Sequence, residues 1–550
     1  MATELQRLGF ASVGEAVGWF DQDWQDLDRQ GGGRWSAWGR VRLAELLDRW
    51  QDWLPGLLAE ADAPDDRADL VLLSGTVAAR LRGLALEAQQ WTEMAPLLPG
   101  LAPIIGLQDS RRRHEPADPA GDARLLSDAV AALATARATL GGDGSRPAPH
   151  VLHRAAGAAE SVSEALRSWY DFRAGYDPET AWWAAKPHEQ LQAALTAHAE
   201  ALRRAAEPAS GHGIVGDPVG RDELVRQLGD AMIPLSPEAL IAAADREMEW
   251  CLAEMARAAS EMGLGDDRRA ALERVKGLHG PPGSQPGLIR DLAFEAIETV
   301  EESDLLAVPP VARDAWLMEM MTAEEQKANP FFLGGDTIRV SYPTSGMDHG
   351  AKLMSLRANN QPFARATVHH ELVPGHHMQA YYARRTRPYR RLFYNPFWTE
   401  GWALHWEMLL WDRGFATTPA ERVGMLFWRS HRCARVAFSL RFHMGLMGAD
   451  ECIAMLVDEV GHEPSTAEAE VRRSFRGDYP PLYQCAYLVG AWQVQALRRE
   501  ALAAGWVDRA FHDAFLRGNS MPVAMARRLL LGLPIEDAPE QWRFGIEETQ

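Results

Sequence analysis

Four of the chain's 17 histidines fall within nine residues around one glutamate, in the stretch Val368-His369-His370-Glu371-Leu372-Val373-Pro374-Gly375-His376-His377. Neutral imidazoles bind zinc well, and a glutamate beside the first ligand is where metal-dependent hydrolases keep the base that activates water. Further along, Trp398-Thr399-Glu400-Gly401-Trp402-Ala403-Leu404-His405-Trp406-Glu407 offers carboxylates that can complete a coordination sphere. The chemistry these residue types suggest is hydrolysis at a metal centre.

The spacing departs from the usual zinc-peptidase pattern, in which two histidines four residues apart stack on one helix face. Position 374 is Pro, not His. On an ideal helix His370 and His376 point about 120° apart, whereas His370 and His377 nearly eclipse. Pro374 removes a backbone donor and Gly375 permits unusual dihedrals, so a local bulge is expected rather than a regular helix. If the Pro-Gly pair loops out two residues, His370 and His376 regain the geometry of an i, i+4 pair. His377 is the substitute.

The motif His370-Glu371-Leu372-Val373-Pro374-Gly375-His376, followed by Glu400-Gly401-Trp402-Ala403, resembles the bacterial family called domain of unknown function 885. That family is similar to the helical zinc metallopeptidases known as gluzincins, in which two His and a downstream Glu hold the metal. The resemblance implies His370, His376 and Glu400 as ligands of one zinc per chain and Glu371 as general base. Leu440-Arg441-Phe442-His443 and the run Pro480 to Gly490 also look like family motifs. They suggest His443 and Tyr487, with Tyr483 as substitute, as donors to the oxyanion. The likeness is strong from about residue 329 to 495 and weak before it, where the turn Gly216 to Arg221 is a faint match.

Each residue has a plainer reading beside the functional one. His369 or His377 can stand behind the ligands or face a substrate. Glu407, seven residues after Glu400 and so on the same helical face, competes with it as ligand, and the family likeness favours Glu400. His405 reads as a neighbour of a ligand. His443 is equally a satisfied histidine on an apolar face. Arg441 can bind a substrate carboxylate, yet an arginine on a helix more often pairs with a structural acid. The aromatic run from Tyr381 to Trp406 builds core and can line an apolar pocket.

Three functional classes follow. The first is a zinc metallopeptidase of short peptides, acting as a dipeptidase or carboxypeptidase. The second is a metal-dependent hydrolase of non-peptide amides such as N-acyl amino acids, with the same residues. The third is a catalytically silent helical binding or scaffold protein. A di-iron protein fits poorly, because the paired Glu-x-x-His motifs of such bundles are missing here.

The elements that must position these groups read as mainly α. The 550 residues, 47% hydrophobic, provide ample core, and a net charge of -19 argues against nucleic acid and anionic membranes as partners. Arg111-Arg112-Arg113 is a local basic run expected in a solvated loop between Asp109 and Asp122. The N-terminus lacks a signal-like pattern and no apolar run approaches bilayer length, so the expectation is a cytoplasmic protein. The four cysteines, Cys251, Cys433, Cys452 and Cys485, are too scattered to staple the chain and read as reduced, mostly buried thiols.

Segments rich in Ala, Leu, Glu and Arg alternate with Gly/Pro breaks. Ser236-Pro237-Glu238-Ala239 starts a capped helix with Ile241, Ala244, Met248, Cys251, Leu252 and Met255 on one face, ending by Gly263. Breaks at Glu207 to Val219, His279 to Gly287 and Asn329 to Asp336 suggest three lobes of one unit: an N-terminal helical lobe (1–210), a helical middle segment (211–328) and a metal-binding lobe (329–550). Thr337 to Tyr342 alternates and is β-branched, so it reads as a strand. The gluzincin likeness suggests an edge strand open to a peptide; the plainer reading beside it is a small sheet that packs on the helices and touches no ligand. The expected architecture is a large helical, gluzincin-like body with a small sheet beside the metal helix.

Overall fold

The computed structural model describes residues 3–31, 33–140, 147–207, 211–327, 331–335, 337–475 and 479–546. The breaks expected at Glu207 to Val219 and Asn329 to Asp336, and the lobe boundary at 328/329, lie partly outside these residues. The chain is mainly helical and divides by contacts into two units, residues 1–62 with 69–217, and residues 63–68 with 218–550. Among the described residues no helix is long and apolar enough to cross a membrane.

The first unit is built of helices. One long pair, Pro149–Tyr176 and Pro178–Ala206, turns back at Asp177, whose carboxylate caps the second helix through the Glu179 N–H (3.0 Å) and the Thr180 hydroxyl (2.6 Å). Leu126, Leu133, Leu152, Trp169, Leu191 and Leu202 fill the space between these two and Pro119–Thr139. Arg111 and Arg112 do not lie in a loop. They complete the last turn of the helix Leu101–Arg112, where cations complement the carbonyl end of the helix dipole. Arg113 pairs with Glu115 at 2.7 Å.

Seven helices of the second unit matter for the site: α1 (Gln361–Glu371), α2 (His376–Ala383), α3 (Pro396–Asp412), α4 (Pro419–His443), α5 (Pro464–Phe475), α6 (Tyr483–Ala503) and α7 (Asp508–Gly518). The starts of three of them are written in the sequence. Asn360 caps α1, Asn395 caps α3, and Thr418 with Glu421 forms a capping box on α4. The Ser236-capped helix forms as expected over Pro237–Glu261, and Gly263 turns left-handed just beyond it. All four cysteines are free and buried.

In α3, 13 of 17 residues are buried, so this helix is wrapped on all faces rather than along one stripe. Close wrapping needs small residues at the crossings. A Cβ on Gly401 of α3 would fall 2.4 Å from the Gly490 carbonyl carbon of α6, and one on Gly490 would fall 2.2 Å from the Phe397 oxygen. The α1–α4 crossing is similar, since a Cβ on Gly424 would lie 2.5 Å from the Pro362 oxygen. Backbone therefore meets backbone on both sides of the residues that carry chemistry.

The sheet has three strands, β1 (Leu317–Met320), β2 (Phe332–Leu333) and β3 (Thr337–Val340), in the order β1-β3-β2. β3 is the strand expected from the sequence, but it is central, not an edge. It pairs in parallel with β1 along its whole length and antiparallel with β2 at Arg339 and Val340, so it has a neighbour on each side. Two short strands flanking it carry too little periodicity to be read from the sequence. Phe332, Ile338 and Val340 pack on Ala364, Val368 and Leu372, which seats the sheet against α1.

A methyl group at either glycine of the α3–α6 crossing must push the helices apart. Gly401→Ala and Gly490→Ala are each expected to lose about 1–3 kcal/mol or more of stability, as overpacked cores do. Thermal unfolding would register this, with exposed Gly229→Ala, whose Cβ has nothing within 4 Å, as the neutral control.

Candidate metal centre

The Pro-Gly pair does more than bulge one helix. α1 ends at Glu371, residues 372–375 form a break through a cis Val373–Pro374 peptide, and α2 starts anew at His376. Gly375 N–H donates to the His369 carbonyl (3.0 Å). A Cβ there would lie 1.8 Å from the His370 oxygen, so only glycine fits the return. From α3, Trp402 Nε1–H donates to the Pro374 carbonyl at 2.8 Å, tying the second motif to the first.

This break turns His376 back toward His370, with ring centroids 4.9 Å apart and planes at 87°. Both rings present Nε2 to one spot, because both Nδ1 positions are taken. His370 Nδ1–H donates to Glu407 Oε1 (2.7 Å), and His376 Nδ1–H donates to Gln379 Oε1 (3.0 Å). Gln379 is itself held by its amide N–H on the Trp398 carbonyl (3.2 Å). Glu400 Oε2 lies 3.2 Å from His376 Nε2 and 3.6 Å from His370 Nε2. Its other oxygen accepts from the Tyr483 hydroxyl at 2.5 Å.

The set fits zinc. Two Nε2 atoms and one carboxylate oxygen converge, Glu400 Oε2 is buried without a hydrogen bond among the described residues, and each imidazole is steadied through its far nitrogen, as metal-ligating histidines are. A carboxylate oxygen of Glu371 also lies within 4.8 Å of the ligand nitrogens of His370 and His376. The two carboxylates differ in setting. Glu400 is 3% exposed and sealed between the imidazoles and Tyr483, while Glu371 is half-buried and open to the cavity. Glu400 suits a ligand and Glu371 a base.

The charges are strongly coupled. Burial alone would lower the basicity of His370, but the Glu400 and Glu407 carboxylates outweigh it and raise its pKa to about 9. His376 is raised against the same burial by Glu400. Glu400 in turn is held well below the carboxylate range, because His376 and His370 overcome its desolvation. Burial, reinforced by Glu400, pushes the Tyr483 and Tyr487 phenols far up, so both remain protonated donors.

The centre forms one wall of a cavity of about 430 Å³. His370, Glu371, His376, Glu400, Tyr483 and Tyr487 line it, as do Phe332 to Gly335 at the end of β2. The Tyr487 ring stacks on His370 at 6.1 Å. His443 is not brought to this site. It closes the last turn of α4, two turns beyond Arg435, with its carbonyl accepting from Gly220 N–H. His369 and His377 also point elsewhere, to the Arg365 and Ala312 carbonyls, and His405 pairs with His512 of α7 at 3.0 Å. Arg441 pairs with Asp245 and the Cys485 thiol donates to the Leu482 carbonyl.

Several groups at the site escape a reading of motifs. Glu407 supports His370 instead of competing with Glu400. Gln379 steadies His376, and Arg432, Arg435 and Arg473 line the cavity. A signal for two of these existed: Arg432 and Arg435 sit three apart, and so on one helix face, between the apolar stretches Met425-Leu426-Phe427-Trp428 and Val436-Ala437-Phe438, where charge is costly unless it serves a partner.

Similar folds are known. A candidate lipoprotein of unknown function from Shewanella oneidensis superposes with a TM-score of 0.70 at 17% identity, over 95% of this chain and 100% of that one. A second, from Colwellia psychrerythraea, gives 0.57 at 14% identity, over 95% and 99%. No curated protein matches the chain. A family profile covers nearly its whole length, residues 8–530, and by that match the chain belongs to the family described as bacterial protein of unknown function (DUF885).

Proposed function

We propose that this protein is a zinc-dependent metallopeptidase of short peptides, with a catalytic half of gluzincin type. The observation that carries the reading is the convergence of His370 Nε2, His376 Nε2 and the buried Glu400 Oε2 on one point of a cavity wall, with Glu371 beside them. A scaffold protein has no use for that arrangement, since a buried carboxylate facing two imidazoles is costly unless something binds there.

Zinc, when bound by His370, His376 and Glu400, supplies a Lewis acid that polarises an amide carbonyl and acidifies water. The chain does the rest. Glu371 accepts the proton of the attacking water and returns it to the departing amine. Tyr487, protonated and lining the cavity beside His370, donates to the carbonyl oxygen as it gains charge, without His443, which lies away from the cavity. Tyr483 holds Glu400, and Glu407 fixes the tautomer and orientation of His370. A cavity of about 430 Å³ admits a few residues of peptide and excludes folded proteins.

Elemental analysis of the purified chain is expected to give about one zinc per chain, lost on His370→Ala with Glu400→Ala. Absence of metal after zinc soaking would sink the reading. Glu371→Gln is expected to keep the zinc and lose roughly 10²–10⁴-fold in kcat on short peptides. A variant that binds zinc and turns over normally would remove Glu371 from the mechanism. Peptides and N-acyl amino acids assayed side by side would separate peptidase from amidase.

Zinc and protons compete for the same nitrogens. His370 has a pKa raised to about 9 in the metal-free site and His376 is raised too, so zinc arriving near neutral pH must expel protons. Apparent affinity should therefore fall as pH falls below about 9, by up to about tenfold per pH unit for each proton released. Calorimetry in buffers of different ionisation enthalpy would count those protons, and a count of zero would contradict this site.

A further inference from the structure

One wall of the cavity carries positive charge that the metal centre does not use. Arg432 and Arg435 of α4 and Arg473 of α5 line it, and the first two are 5% and 3% exposed. Guanidinium groups remain charged, so burying them together demands counter-ions. Glu470 is one: it accepts from Arg435 Nε at 2.6 Å and is also the main attractive charge on Arg473. Glu407 is the other, but it stands 3.9 Å from Arg432 and already accepts from His370. The two positive charges of zinc would be met by Glu400 and Glu371. Among the described residues, three arginines then face two carboxylates, which leaves one positive charge unbalanced.

The unbalanced charge has free donors. Nε of Arg432 and Nε of Arg473 are buried without a hydrogen-bond partner among the described residues. The Tyr487 ring links this wall to the metal centre, since the Arg432 and Arg435 guanidinium carbons lie 4.6 and 4.7 Å from its centroid and the ring stacks on His370 at 6.1 Å. Both guanidinium groups therefore lie within about 11 Å of the His370 ring, a span of a carboxylate contact plus roughly two residues of extended chain.

We propose that Arg432, Arg435 and Arg473 form a carboxylate-binding subsite, which holds a free carboxylate of the substrate one or two residues from the bond that is cut. Glu470 braces Arg435 and Arg473, and Arg432 offers the less engaged planar fork. A peptide bound this way presents its C-terminal end to the arginines, so the enzyme trims from the C-terminus. An acidic side chain at the same distance carries the same chemistry. That there is a bond to cut rests on the peptidase reading; the subsite itself does not.

The first test needs no turnover. The zinc-free full-length chain is titrated calorimetrically with N-acetylglycine, with N-acetylglycinamide, and with the α-amide of N-acetylaspartate. The acid is expected to bind and the glycinamide to bind at least about tenfold more weakly, with Arg432→Gln and Arg473→Gln each erasing most of that difference and Arg432→Lys retaining part of it. Binding of the aspartate α-amide as tight as that of the acid would assign the subsite to acidic side chains; weak binding would assign it to the terminal carboxylate.

Equal binding of acid and amide by the unaltered chain overturns the proposal, and that comparison requires no variant to fold. So does a loss confined to Arg391→Gln, another cation on the cavity lining. On the zinc-loaded protein, kcat/KM for a free dipeptide should exceed that for its C-terminal amide by at least about tenfold, and the ratio should approach one in Arg432→Gln. Carboxylate binding without hydrolysis of any peptide would sink the peptidase reading and spare the subsite. Hydrolysis indifferent to the C-terminal group would do the reverse.

Discussion

The buried carboxylate of Glu400 is the charge around which the second unit is arranged. Removing such a group from water costs several kcal/mol unless its oxygens are met. One oxygen is met by the Tyr483 hydroxyl, and the other faces the Nε2 atoms of His370 and His376. Those partners come from three helices and must arrive at one point. The Gly401–Gly490 contact brings the Tyr483 helix against the Glu400 helix one residue from the carboxylate. The Trp402 bond to the Pro374 carbonyl locks the histidine loop onto the same helix. The small residues and the aromatic of the second motif thus serve the acid that precedes them.

Much of this was legible in residue types and spacing. Capping residues mark where α1, α3 and α4 begin, and the β-branched run marks β3. The His-Glu-x-x-Pro-Gly-His pattern is informative because Pro and Gly forbid a straight helix, so the second histidine has to be returned by some non-helical device. The sequence could not say which. A two-residue bulge and a full break with a new helix both satisfy the pattern, and the choice rests on Gly375 lying against the His370 carbonyl, a contact visible only in three dimensions.

What stayed hidden depends on partners distant in sequence. Glu407 looked like a rival ligand because helical periodicity puts it on the face of Glu400; only the approach of α1 shows it bonded to the far side of the His370 ring. His443 lies in a motif-like segment, yet α4 is long enough to carry it past the cavity, while Arg432 and Arg435 of the same helix face inward. The gluzincin likeness implies an edge strand at β3, and the two short strands that flank it carry no signal of their own to correct that. The basic run at Arg111 shows the same weakness at smaller scale, since polarity alone does not separate a loop from the end of a helix.

The four acids around the centre divide its electrostatics between them, and the division gives the cavity a direction. Glu400 and Glu407 sit on two sides of His370, one toward the metal position and one behind the ring, so together they favour the protonated imidazole without metal, and a metal would displace only the proton on the Glu400 side while Glu407 keeps the other fixed. Glu371 stands on the side of the sheet, where Gly334 comes so close that a Cβ would fall 2.1 Å from its carboxylate; backbone, not side chain, is the neighbour there. Glu470 stands on the side of the arginines. A peptide crossing the cavity would therefore meet backbone polar groups beside the base and fixed cations beyond the metal position. Negative charge at one end of the substrate and an extended main chain at the other satisfy that asymmetry, and the reversed arrangement would set a substrate ammonium among the arginines.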